Sequence, residues 1–280
     1  MKLKEKLRDI MGSESADVVS SMDLIGDIAI IKIPDQLSGW KETIASEVLK
    51  ANTNIKSVFV QKGPIHGTTR LRKIEHIKGS TDTTTLHREY GCRYLVDVQD
   101  TYFSPRLSED RNRVSNIIKE NEVVINMFAG VGPYSILIAK RNETSEVYSI
   151  ELNSVAVNLH RENIKLNKTE KNVSVFEGDA RRIIEKDMIG VATRVLLPYP
   201  EKALDFLDIA LISLRDKGYL NVYFHTDFKI QESESFMKAK KIIEEKLQKL
   251  DVDIIQIQIN KVREVGPRIN QIRADCFIKR

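Results

Sequence analysis

Residues 122–139, EVVINMFAGVGPYSILIA, run a short apolar segment into Ala129-Gly130-Val131-Gly132 and straight on into a second apolar segment. A strand that ends on Gly-x-Gly lets the backbone turn tightly and approach a ligand at the carboxyl edge of a parallel sheet. Pro133 follows at the first position of the expected helix, where its missing N–H removes nothing the helix would use. A dinucleotide fold asks for a third glycine three residues on, and this chain has Ser135 there, which weakens a nicotinamide reading. The plain alternative is a tight turn with no ligand. About 20 residues later the next apolar segment ends in VYSIELN, placing Glu151 where a carboxylate accepts hydrogen bonds from both hydroxyls of a ribose.

Working outward, strands are expected at 122–128, 146–151, 173–176, 193–197, 219–224, 252–259 and 273–279, with helices starting near Pro133, Ser154, Ala180, Glu201 and Glu234. Strands alternating with helices signal βαβ units and a parallel sheet. Only NKVREVGPRINQI separates the last two strands, so the final one should return antiparallel as a hairpin. This α/β arrangement, a doubly wound sheet with a terminal antiparallel hairpin, resembles the class I S-adenosylmethionine (SAM) methyltransferase fold. In that fold the third strand tip, here VFEGDA with Asp179, commonly meets the adenine amino group. A helix-capping role is the alternative for both Glu151 and Asp179. The fourth strand ends in LPYP, a stiff corner that could present Tyr199 to a flat base.

Toward the N-terminus, MDLIGDIAIIKI reads as a strand broken at glycine, LSGWKETIASEVLKAN as a helix with Trp40, Ile44, Val48 and Leu49 on one face, and IKSVFVQ as a strand. We take 1–90 as a small α+β substrate-positioning domain and 91–280 as the methyltransferase domain.

Length and charge narrow the classes. The 280 residues include 41% hydrophobic ones and carry a formal charge of +4. Basic residues gather between Lys62 and Arg113 and again in the tail from Lys261, as two regions that could flank one cleft. No apolar run has the roughly 20 residues of a membrane span, and the start lacks a signal-peptide core, so a cytoplasmic protein with no membrane partner is expected. Cys92 and Cys276 stand far apart without clustered histidines, so no metal site is expected.

Longer blocks are more specific than the glycine turn. DLIGDIAIIKIP, NIKSVFVQKGPIHGTTRLRKIEHIKG, TTTLHREYGCRYLVDVQDTYFSPRLSEDRNRV and NMFAGVGPYSI resemble the class I tRNA (guanine-37-N1)-methyltransferase family of archaea and eukaryotes, including its wyosine-pathway branch. The resemblance covers nearly the whole chain. It implies SAM as cofactor and a tRNA partner, bound through its anticodon arm and expected to be tRNA-Phe, with the purine at position 37 modified; a monomer is expected. By matching motif, Arg106 in SPRL and Arg70 in GTTRLRK fall at the family's catalytic arginines, and Asp110 at its catalytic carboxylate. Such a set suits N1 chemistry, because a carboxylate takes the N1 proton while an arginine holds charge developing on O6. The alternative for Arg106 and Asp110 is an i,i+4 ion pair at a helix start. Phe128, Gly130, Gly132, Glu151 and Asp179 are the expected cofactor contacts, and Pro198, Tyr199, Pro200 and Tyr102 the expected substrate contacts.

Three positions depart from the family pattern: Pro198-Tyr199-Pro200 replaces Asn-Leu-Pro, Asp110 replaces Glu, and Asn126 replaces Asp. Tyr199 in place of an amide donor suits a larger flat base, so methylation of 4-demethylwyosine at C7 stands beside methylation of guanosine at N1. Further alternatives are a non-catalytic tRNA-binding homologue and transfer of the aminocarboxypropyl group of SAM; the latter branch carries Gly where this chain has Arg106. The N-terminal block is shorter than in full-length members that inspect the tRNA elbow.

Overall fold

The structure is a computed structural model describing residues 3–12, 22–65 and 67–280. After helix α1 (Leu3–Met11), strands β1 (Asp23–Ile25) and β2 (Ile28–Ile31) form a hairpin. Its turn at Gly26 requires the left-handed conformation (φ 54°), and a side chain there would strike Thr85. Helix α2 (Lys41–Ala51) crosses over to β3 (Ser57–Gln61), parallel to β2, and β4 (Ile74–Gly79) closes the sheet in the order β1-β2-β3-β4. Ile44 and Val48 of α2 pack on Ile31, Val58 and Val60 as the helical spacing predicts. Trp40 departs from that expectation: it ends a 3-10 turn before α2 and is 40% exposed, since one turn of tighter winding moves it off the buried face.

The hairpin of β5 (Thr84–Glu89) and β6 (Cys92–Asp97) turns at Tyr90-Gly91, so the expected boundary after residue 90 falls inside it. It is tied to the second unit, where Asn163 and Asn167 exchange hydrogen bonds with the backbone of β6 at Leu95 and Arg93. That unit runs α3 (Ser108–Ile117), β7 (Val123–Asn126), α4 (Pro133–Arg141), β8 (Glu146–Glu151), α5 (Ser154–Asn167), β9 (Val173–Glu177), α6 (Ala180–Asp187), β10 (Ala192–Leu197), α7 (Leu207–Ser213), β11 (Leu214–Asp227), α8 (Glu232–Gln248), β12 (Asp253–Gly266) and β13 (Ile269–Lys279). Its seven strands lie in the order β12-β13-β11-β10-β7-β8-β9, all neighbours parallel except β13, which runs antiparallel to both β11 and β12. The expected α/β sheet and terminal hairpin are therefore present.

Central strands β7 and β10 are buried on both faces, and the order reverses between them. A ligand crevice is expected at such a switch point, outside the carboxyl ends of the strands. One helix starts later than expected. After β10 the Tyr199 carbonyl accepts from the N–H groups of both Lys202 and Ala203, so the chain turns at 198–203 and winds a 3-10 turn before α7 begins at Leu207 rather than Glu201. No described helix is long and apolar enough to cross a membrane, and no three described His, Cys, Asp or Glu residues are placed to hold a metal.

Candidate active site

Gly130 (φ 55°) stands at the turn after β7, and its N–H donates to Glu151 Oε2 at 2.7 Å. The N–H of Asn153 donates to Oε1 at 2.8 Å, so each oxygen of Glu151 is fixed by one backbone bond and keeps lone-pair capacity toward the crevice. Burial pushes the Glu151 carboxyl above its ordinary range, against the pull of the Asn153 and Gly130 amides. Asn153 itself caps α5 by accepting from Val155 N. At the next tip Asp179 caps α6, accepting from Arg182 N at 3.1 Å, and still faces the crevice. The capping alternative and the ligand position thus coincide at Asp179.

These tips open on a cavity of about 420 Å³. One wall is apolar: Met127, Phe128, Leu152 and Phe206 line it, with the Phe128 ring edge-on to Phe206 at 5.1 Å and to Tyr199 at 5.2 Å. Toward the N-terminal unit the lining changes to Thr68, Thr69, Arg70 and Tyr102. The Arg70 guanidinium lies 4.1 Å from the Tyr102 ring centroid and 5.6 Å from that of Tyr199, and its Nη2 is 3.2 Å from Glu201 Oε1. Arg70 holds a left-handed backbone (φ 56°), a strained state for a non-glycine residue that tends to occur where side-chain placement matters.

Eight expected site residues therefore share one cavity: Arg70, Tyr102, Phe128, Gly130, Glu151, Asp179, Pro198 and Tyr199. Four do not. Gly132 lies behind the turn (φ 89°), where a Cβ would come within 2.2 Å of the His160 ring; its lack of a side chain makes room for that imidazole rather than for a ligand. Pro200 is buried and shapes the turn without lining the cavity. Arg106 donates from Nε to Asp23 Oδ1 at 2.6 Å, and Asp23 also meets Arg72 at 2.8 Å.

Asp110 is 4% exposed and fully engaged: Oδ2 accepts from Tyr134 Oη and Tyr223 Oη, each at 2.7 Å, and Oδ1 pairs with Arg273. The Arg106–Asp110 ion pair does not form, because the two side chains leave α3 and the turn before it toward different partners. Asp110 therefore anchors α3 to the sheet and does not reach the cavity. Arg111, from the basic stretch between Lys62 and Arg113, is likewise buried, its fork on Glu89 at 2.6 Å. Ser135, the residue in place of a third glycine, accepts from Asn126 Nδ2 and Ser149 Oγ in a buried polar cluster.

Sequence reasoning missed Leu152 and Phe206. Leu152 had a usable signal, as an apolar residue directly after a strand-tip acid, 52% exposed yet facing the crevice. Phe206 lay hidden by the misplaced helix start.

The TRM5/TYW2 methyltransferase domain model matches residues 85–255, and a TYW2 N-terminal domain model matches residues 3–83. Over 204 residues the chain is 41% identical to the tRNA (guanine(37)-N(1))-methyltransferase Trm5b of Pyrococcus abyssi, a match covering 73% of this chain and 59% of that protein. It is 32% identical over 211 residues to the tRNA 4-demethylwyosine(37)-methyltransferase Taw21 of Saccharolobus solfataricus, covering 75% and 79% respectively. Among solved structures it superposes on an aTrm5–tRNALeu complex with TM-score 0.84 and 30% identity, covering 100% of this chain and 78% of that one. Methanocaldococcus jannaschii TYW2 in complex with AdoMet gives TM-score 0.69 and 27% identity, covering 93% of this chain and 100% of that one. With a matched model running through the glycine turn, the strand-tip acids and the aromatic corner, the chain belongs to the TRM5/TYW2 methyltransferase family.

Proposed function

We propose that this chain is a SAM-dependent tRNA methyltransferase acting on the purine at position 37, with N1 of guanosine as the first target. The observation that carries this reading is the single cavity joining the strand-tip acids Glu151 and Asp179 to the Arg70–Tyr102–Tyr199 end. The donors present suit SAM. Glu151 offers two backbone-fixed oxygens to a ribose diol, Asp179 a carboxylate at the neighbouring tip, and Phe128, Leu152 and Phe206 apolar faces for an adenine. Bound there, SAM supplies an electrophilic methyl group on a sulfonium sulfur.

The chain's own work is placement. Tyr102 and Tyr199, beside Arg70 at one end of the cavity, offer rings to a flat base swung out of the anticodon loop, where extrusion is cheaper than from a duplex. The Arg70 guanidinium, close to both rings, has donors for an oxygen that gains charge. The apolar wall keeps water from the reacting centre. We assign the anticodon arm of tRNA-Phe as the bound element and the cytoplasm as the location.

A second reading, methylation of 4-demethylwyosine at C7, is favoured by the Pro198-Tyr199-Pro200 corner, which offers a ring where an amide would read a guanine edge. The deciding experiment incubates the chain and SAM with tRNA(Phe) carrying either guanosine or 4-demethylwyosine at 37, followed by nucleoside mass analysis. N1-methylguanosine from the first supports the primary reading. Product from the second alone supports the other, and no product from either refutes both.

A further inference from the structure

We propose that Arg181 is a positioning residue for the cofactor: its ion pair with Asp208 clamps α6 to α7 and so sets the width of the slot that receives the adenine of SAM, an inference that rests on the cofactor placement above. The clamp follows from how the two helices begin. Asp179 is the N-cap of α6 and Phe206 the N-cap of α7, and Arg181 and Asp208 each stand two positions further along. Asp179, Phe206 and Arg181 all line the cavity. The carboxylate offered to the edge of an adenine and the ring offered to its face therefore sit at the starts of separate helices. A tie between those helices sets how far one stands from the other.

Arg181 supplies that tie. Its Nη1 donates to Asp208 Oδ2 at 2.7 Å and its Nη2 to Asp208 Oδ1 at 3.0 Å, a fork that fixes direction as well as distance. Nη2 also donates to the Asp205 carbonyl at 3.2 Å, so the guanidinium holds the chain on both sides of Phe206. Its Cζ lies 5.4 Å from the Phe206 ring centroid, within cation–π range. Phe206 also meets Phe128 edge-on at 5.1 Å, so a cation and a second ring together set its place.

The pair is half open to solvent, with the two side chains 37% and 50% exposed, and an ion pair in that setting adds little to folding. Its work is geometric. The bond to Asp208 raises the Arg181 guanidinium, and the same bond holds the Asp208 carboxyl below its ordinary range, so both partners stay charged at neutral pH. A lysine at 181 would keep the charge and lose the fork.

The test measures SAM and adenosine binding by calorimetry for the full chain and for Arg181→Met, Arg181→Lys and Asp208→Asn, with transfer kinetics on the tRNA(Phe) that the wild type methylates. Adenosine carries the adenine and ribose without the methionine tail. For Arg181→Met we expect Kd for both ligands raised by the same factor, about 10-fold, because only the adenine end is disturbed. KM for SAM should rise in step, while kcat at saturating SAM stays within about 2-fold. Asp208→Asn leaves every cavity-lining side chain in place and should show the same pattern. Arg181→Lys should fall between, and Arg181→Met with Asp208→Asn should lose no more than Arg181→Met alone. Tm should fall by no more than about 4 °C in any of them. Affinities within about 2-fold of wild type in Arg181→Met overturn the clamp, as does additive loss in the double variant. A loss of affinity matched by an equal loss of kcat overturns it too, since that marks a general disturbance of the site. A wild type that binds neither SAM nor adenosine overturns the cofactor placement on which the clamp rests.

Discussion

Gly132→Ala should unfold the glycine turn's support without touching the cavity. A Cβ at position 132 would stand 2.2 Å from His160 Cδ2 and Nε2 and 2.8 Å from Cε1, far inside contact distance. His160 is fully buried in α5, so its ring has no solvent to swing into. Two terms add: about 1–2 kcal/mol for an L-residue at φ 89° and about 1–3 kcal/mol for overpacking, or about 2–5 kcal/mol in total. At about 2–4 °C per kcal/mol for chains of this size, calorimetry should show Tm lowered by about 4–20 °C. His160→Ala supplies the control. In a His160→Ala background the clash is gone and only the backbone strain remains, so the double-mutant cycle should return a coupling of about 1–3 kcal/mol in favour of the pair. Gly130→Ala differs in kind, since its Cβ would meet only the Tyr102 carbonyl at 3.6 Å, an ordinary contact. A Gly132→Ala protein melting within about 1 °C of wild type, or a cycle with no coupling, would refute the assignment of Gly132 to packing.

Glu151→Ala should weaken SAM binding by about 100-fold or more in titration calorimetry, because two hydrogen bonds to a charged acceptor are lost; unchanged affinity would remove the ribose from this tip. Asp110→Ala should destabilise the fold by about 3 kcal/mol in urea unfolding, at the low end for breaking a buried pair because Arg273 keeps Asp275, and a neutral result would show that the buried cluster is not an anchor. Burial holds the His160 imidazole down to about 3, only partly offset by the Gly130 backbone. The unfolded chain protonates this group near its ordinary 6.5 while the folded chain does not. Stability should therefore fall as pH drops from about 6.5 toward 3, by up to about 1.4 kcal/mol per pH unit, and His160→Gln should flatten that slope in denaturation series. Glu89 acts in a lower window. Burial alone would raise its carboxyl, but His87 and Arg111 hold it to about 2, so its contribution is lost as pH falls from about 4.5 to 2.

Features set by neighbours in the chain were legible before the structure. The Gly130 turn, Pro133 at a helix start, and Glu151 and Asp179 at strand ends follow from local periodicity and capping, and all but Pro133 meet in one cavity. The final hairpin followed from a connection too short for a crossover helix. Features set across the fold were not legible. Asp110 finds Tyr223 and Arg273 at separations of 113 and 163 residues, so a carboxylate that reads as catalytic from its motif is consumed by packing. Gly132 reads as a ligand glycine until His160 is seen behind it. Arg106 read as free to act, and Asp23, 83 residues earlier, takes it. The late start of α7 came from backbone bonds to the Tyr199 carbonyl that no propensity announces.

The most direct test of the account is transfer of labelled methyl from SAM to tRNA(Phe) transcripts that differ only in carrying guanosine or adenosine at position 37. The account predicts incorporation approaching one methyl per guanosine-37 tRNA and none into the adenosine-37 transcript. No incorporation into either, or equal incorporation into both, would contradict it.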